Sequence, residues 1–191
     1  MIMKSKLRFH LFISILIAAS LACSINVGGP DYPAETIPAS PEAALSMQEM
    51  IQQAIVTGAE TGVITLQITE SQLTGFMAQK LSQQADPPFT DPQIFLRDGQ
   101  LKLYGRITQG WFTANMLIVM NVILDPVTGQ PAIQIASADF GPFPAPEGLN
   151  TAVGAVIDEA FTGSFGPVAS GFRLESIAIA NGVMTVTGRI K

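Results

Sequence analysis

The chain has 191 residues, 48% hydrophobic and 13% charged, which excludes general disorder and allows one domain with a real core. Three of its ten basic residues, Lys4, Lys6 and Arg8, sit at the N-terminus, so the rest of the chain carries seven basic residues against fifteen acidic ones. Phosphate binding needs clustered Lys and Arg, so no nucleic-acid partner is expected.

Residues 1–22 have the layout of a secretory signal peptide: a basic start, an apolar run from Phe9 to Leu21, then small residues. The run is short for a membrane span, which needs about 20 apolar residues. Cys23 is the only cysteine, and an unpaired thiol in an exported chain calls for an explanation. Ser20-Leu21-Ala22-Cys23 resembles the lipobox of bacterial lipoproteins, with Leu21 one place later than the family's usual leucine. The resemblance implies lipid attachment at Cys23, with the membrane as partner and the outer face of a bacterial membrane as location. An ordinary secretory signal with an incidental cysteine is the alternative. Residues 23–41 follow as a Pro- and Gly-rich tether, which at about 3.1 Å per residue would reach roughly 50 Å.

A single domain is expected over residues 42–191. Ser40-Pro41 is a helix start, and Ala44, Met47, Ile51 and Ile55 recur at helical spacing up to Gly58. Val63 to Ile68 alternates as a strand. Thr69 and Gln72 form a capping box for a helix with the stripe Leu73, Phe76, Met77 and Leu81, closed by Asp86-Pro87-Pro88. Ile94 to Ile107 and Ile177 to Ile190 read as two hairpins about Asp98-Gly99 and Asn181-Gly182, at a constant offset of 83 residues. Both end in Gly-Arg-Ile, so duplication and convergence are both open. Between them Trp111 to Leu124 is a long strand, apolar on much of both faces, and Ala132 to Phe140 returns beside it. Leu149, Val153, Val156, Ile157, Ala160 and Phe161 make the stripe of a second long helix. Helices and adjacent hairpins in this order give an α+β class with an antiparallel sheet.

Several stretches resemble LmeA-like phospholipid-binding proteins and YpmS-like proteins of bacterial envelopes, relatives of the tubular lipid-binding (TULIP) superfamily. They are Ile68-Thr69-Glu70 with Leu73-Thr74, Leu96 to Leu101, Gly141 to Pro144, and the hairpin through Asn181-Gly182; the likeness spans Gly62 to Lys191. It implies a curved antiparallel sheet of hairpins wrapped on long helices, with an apolar groove for acyl chains and no catalytic residues.

His10, the only histidine, falls in the leader, which removes Ser-His-Asp and Cys-His catalysis and ordinary zinc sites from the domain. No metal and no cofactor are expected. Asp158 and Glu159 are adjacent on a helix and do not face each other. Arg106 and Arg189 hold equivalent hairpin positions, as phosphate contacts or as surface ion pairs. Met116, Ile118 and Met120 share one face of the long strand and are the candidate groove wall, core packing being the other reading. Three functions compete: a tethered, non-enzymatic binder of lipid or another apolar ligand; a structural or protein-interaction domain of the cell envelope with no groove; and a hydrolase without histidine. An open apolar cleft distinguishes the first from the second.

Overall fold

In the computed structural model, which describes residues 25–124, 131–149 and 172–190, the elements are β1 (Ile25–Asn26), α1 (Pro41–Thr61), β2 (Val63–Thr69), α2 (Glu70–Ser82), β3 (Thr90–Arg97), β4 (Gln100–Gln109), β5 (Phe112–Leu124), β6 (Pro131–Asp139), β7 (Phe172–Ala180) and β8 (Val183–Ile190). The class is α+β, with two helices among the described residues and a curled, antiparallel-rich sheet. Its hydrogen bonds divide it into two parts. One runs β3–β4–β5, with β1 and β6 both on the far edge of β5; the other runs β2–β8–β7.

Local chemistry sets the helix starts. The Ser40 hydroxyl accepts the Ala43 N–H at 3.1 Å, and Pro41 occupies the first turn of α1. At α2 the capping box forms reciprocally: Gln72 N–H donates to Thr69 Oγ1, and Thr69 N–H donates to Gln72 Oε1. The expected stop of α1 at Gly58 is corrected. The helix runs through Gly58 and ends at Gly62, whose φ of +76° is left-handed and whose N–H donates back to the Gly58 carbonyl. An interior glycine costs about 1 kcal/mol and does not by itself end a helix.

Both hairpin turns are tight. Asp98 and Gly99 have φ of +56° and +76°, and Asn181 and Gly182 have +52° and +80°. The two turn regions meet. Leu96 N–H donates to a Glu70 carboxylate oxygen at 2.7 Å, Glu70 N–H to the Gly182 carbonyl at 3.2 Å, and Gly182 N–H to the Leu96 carbonyl at 3.1 Å. This closed ring of three hydrogen bonds ties the start of α2 to one hairpin from each part of the sheet.

Alternation decides what enters the core. Ile64, Leu66 and Ile68 of β2, Leu101 and Leu103 of β4, and Met184 and Val186 of β8 are buried, packed with Met47 and Ile51 of α1 and Phe76 and Met77 of α2. Ile94, Leu96 and Ile179 are buried as expected, and Ile177 is half-buried against the same core. The helix expected from Leu149 lies outside the described residues from position 150 onward.

The stretch expected to stand away as a tether lies instead along the domain. It is extended, but its backbone is paired. Ile25 N–H donates to the Trp111 carbonyl and Val27 N–H to the Thr113 carbonyl, both at 2.8 Å; Asn115 N–H donates to the Gly28 carbonyl at 3.0 Å. The Asn115 side-chain amide donates to the Pro30 carbonyl at 3.1 Å. Gly29, at φ +103°, lies so close that a Cβ there would stand 2.3 Å from the Asn115 carbonyl oxygen. The reason is an open edge: β6 covers β5 from Leu117 onward, leaving Phe112 to Asn115 without a partner on that side. An unpaired strand edge is a template for any extended chain that reaches it.

Candidate functional site

The docked segment makes one wall of a cleft of about 510 Å³. Tyr32, Thr36 and Ala39 come from that segment, Ala78, Leu81 and Ser82 from the last turns of α2, Pro87 to Gln93 (Pro88 apart) from the loop into β3 and the start of that strand, and Arg106 from β4. A depression of about 520 Å³ runs along α1 past Gln52 and Val56, but one helix face lines it and no second element walls it. The Tyr32 cleft has walls from separate elements, as a ligand site requires.

Phe89 is the floor, 1% exposed. Gly105 of β4 lies beneath it: a Cβ at that position would come within 2.7 Å of the Phe89 ring and 3.1 Å of Met116 Cε. The glycine therefore leaves the space that the ring fills. Opposite it the ladder carries a bulge between Thr90 and Gln93, and bulges re-aim side chains at the rims of sheets. Asp91, within the bulge, has a φ of +50°, a left-handed conformation that Asp tolerates better than most residues.

Three polar groups of the lining meet. Tyr32 Oη donates to the Asp91 carbonyl at 2.6 Å, Arg106 pairs with the Asp91 carboxylate at 3.0 Å, and the guanidinium stands 5.0 Å from the centre of the Tyr32 ring. Burial, and then the nearby Asp91 charge, raise the Tyr32 phenol above the usual tyrosine value near 10, while Arg106 opposes them. Gln93, 8% exposed, clamps the docked segment from below, accepting the Ile37 N–H at 2.6 Å and donating to the Ile37 carbonyl at 3.1 Å.

No protein-family model matches the chain, and neither does a curated protein or a solved structure. What the cleft can do is read from its own groups: a wall in which Ala78, Leu81 and Pro87 stand among polar neighbours, and a half-exposed Arg106–Asp91 ion pair beside the Tyr32 phenol.

The residues expected to bind ligand fall differently. Met116, Ile118 and Met120 are 0%, 2% and 1% exposed and pack in the core. Met116, the register partner of Gly105, brings its Cε to the side of that glycine where the Phe89 ring lies, but it does not line the cleft. Arg106 does stand in the cleft wall, paired with Asp91; Arg189 is 67% exposed and pairs with Glu175 at 3.1 Å, so both make the surface ion pair that was one of their two readings. Cys23, Asp158 and Glu159 lie outside the described residues. Among the described residues no group of three or more His, Cys, Asp or Glu is placed to hold a metal, and no helix is long and apolar enough to cross a membrane. Tyr32, Phe89 and Gln93 had no signal of function in the sequence; Tyr32 is marked there only as the one aromatic residue of the presumed tether.

Proposed function

We propose that this is an exported lipoprotein, anchored through Cys23 to the outer face of a bacterial membrane, whose domain binds lipid or another apolar ligand without transforming it. The observation that carries the reading is the Tyr32 cleft. Its volume lies in the range of small-molecule sites, about 300–1,000 Å³, and it opens to solvent beside a single cation. Pro87, Leu81 and Ala78 offer apolar wall to an acyl chain, and each buried CH₂ stabilises a complex by about 0.8 kcal/mol. Arg106 suits an acidic headgroup: its bond to Asp91 is half-exposed, so exchanging one anion for another costs it little.

The same proposal includes the likeness to LmeA-like and YpmS-like envelope proteins, the second long helix from Leu149 to Phe161, and duplication of the hairpin. Leu149, the one residue of that helix described, is buried in the core. For duplication the support is register. Each of the six residue pairs joining β3 to β4 has its counterpart 83 positions later between β7 and β8, from Thr90 with Arg106 and Arg173 with Arg189 to Arg97 with Gln100 and Ala180 with Val183. An irregularity falls in the corresponding stretch of both, between Thr90 and Gln93 and between Leu174 and Ser176, and the following Arg pairs with a carboxylate there, Asp91 or, one position out of step, Glu175.

A structural or interaction role is the second reading, favoured by one observation: the Met116, Ile118, Met120 face is filled core. Lipid extracted from the purified full chain and identified by mass spectrometry, with binding of a fluorescent fatty acid, separates the two. The Ala78→Trp variant, which fills the cleft, should abolish probe binding, and Arg106→Gln should weaken acidic probes more than neutral ones. Probe binding unchanged by Ala78→Trp, or no bound lipid and no probe binding, would favour the structural role.

A further inference from the structure

Half of the eight large hydrophobic side chains that are exposed among the described residues lie together, at the end of the sheet where the chain enters it. Ile25 is 55% exposed, Val27 36%, Trp111 57% and Phe112 45%. Ile25 is the register partner of Phe112 in the parallel pair, so the two side chains share a face, and Val27, two residues on, falls on that face too. Trp111 stands in the turn from which β5 starts, its carbonyl bonded to the Ile25 N–H. Neither stretch of chain that builds the patch carries a charge: residues 24–30 and 107–124 contain no Asp, Glu, Lys or Arg, although the chain outside its leader is strongly acidic.

We infer that this patch rests on the lipid bilayer itself, with Trp111 at the level of the headgroups and Ile25, Val27 and Phe112 turned to the acyl boundary. The inference rests on the anchor reading above and goes beyond it. Cys23 is two residues before Ile25, and two peptide units span at most about 7 Å between Cα atoms. Because β1 is bonded to β5, no free tether remains between the attachment point and the domain. A diacylglycerol on Cys23 therefore draws the Ile25 end of the sheet to the membrane surface. Whatever lies there must tolerate the interface, and the four side chains found there are of the kind that favour it: one tryptophan, amphipathic and enriched at membrane interfaces, and three apolar neighbours. The absence of charge matters as well. An acidic domain is repelled by anionic lipid, and two chain stretches without Asp or Glu lessen that cost where they meet the surface.

Trp111 is the chain's single tryptophan, so its emission reports this patch alone. The full chain, purified from membranes and reconstituted in vesicles of phosphatidylethanolamine and phosphatidylglycerol, is measured with and without bromine on the acyl chains, and intact mass reports whether Cys23 carries diacylglycerol. The expected result is a lipidated mass, a blue-shifted emission, strong loss of intensity with brominated lipid, and weaker quenching by aqueous acrylamide than in the urea-unfolded chain. Phe112→Asp should reduce the brominated-lipid quenching without changing the mass. A lipidated chain whose Trp111 ignores brominated lipid and stays open to acrylamide overturns the inference while leaving the anchor in place. Protection from both quenchers means that protein covers the patch, and overturns it too. A mature chain without diacylglycerol overturns anchor and patch together.

Discussion

Replacing Glu70 by Ala should destabilise the domain by about 2–4 kcal/mol, more than a change at a residue so near the surface would suggest. The Glu70 carboxylate is 14% exposed and accepts the N–H of Leu96, a residue with no exposure of its own. Leaving that N–H without an acceptor costs about 1–3 kcal/mol. Loss of the forked pair with Arg97, which is 46% exposed, adds at most about 1 kcal/mol. Loss of a carboxylate from the first turn of α2 adds about 0.3–1 kcal/mol by removing its interaction with the helix dipole. For a domain of this size the sum lowers the melting temperature by roughly 5–15 °C. Urea unfolding followed by circular dichroism gives the free energy directly. Glu70→Gln is the companion variant, since its amide oxygen still accepts the Leu96 N–H, and it should lose only about 1 kcal/mol. If the Ala and Gln variants are equally stable, and both lie within about 0.5 kcal/mol of the parent, the ring through Leu96, Glu70 and Gly182 does not hold the sheet parts together.

Gly182→Val should destabilise strongly, because a β-branched residue resists φ of +80° and its Cβ would lie 3.2 Å from the Arg97 guanidinium; a melting curve checks it. Gly29→Ala should release the docked segment from β5, read as rapid proteolysis between Ser24 and Ser40 while the rest of the domain stays resistant. Tyr32 gives an alkaline signature. A phenol raised by burial keeps its proton in the fold where the unfolded chain has lost it, so this contribution is intact below about pH 10 and falls away as pH rises through the higher folded value. Tyr32→Phe should therefore lose less stability than the parent between neutral pH and alkaline pH, measured as melting temperature against pH. Gly105→Ala should push the Phe89 ring into the cleft and cost about 1–3 kcal/mol, with fatty-acid probe binding reduced at temperatures where the variant is folded.

What the sequence disclosed was local. Asp98-Gly99 and Asn181-Gly182 carry their own turn geometry, and Thr69 with Gln72 carries its own cap, so these could be read without knowing what surrounds them. The alternation of Met116, Ile118 and Met120 identified a face and could not say whether protein or ligand covers it; protein does. The proline- and glycine-rich start was legible as extended chain. That it docks depends on an edge of β5 left open by the length of β6, a fact about strands about 90 and 110 residues further on. The cleft was hidden for the same reason. Arg106 stands out by its hairpin position, but Tyr32, Leu81 and Asp91 do not, and the four meet only because the segment docks and a bulge turns the start of β3.

The pairing of β2 with β8 has a consequence for how the chain is made. Val63 to Thr69 pairs with Arg189 to Val183, so a strand near the start of the domain waits for one synthesised more than a hundred residues later. A chain that emerges N-terminus first, from a ribosome or across a membrane, therefore holds β2 with a bare edge, and α2 without its Gly182 contact, until β8 appears. Such distant closure is slow and leaves apolar strand exposed in the interval. Until then the open edge of β2 is a template for any other extended chain that reaches it.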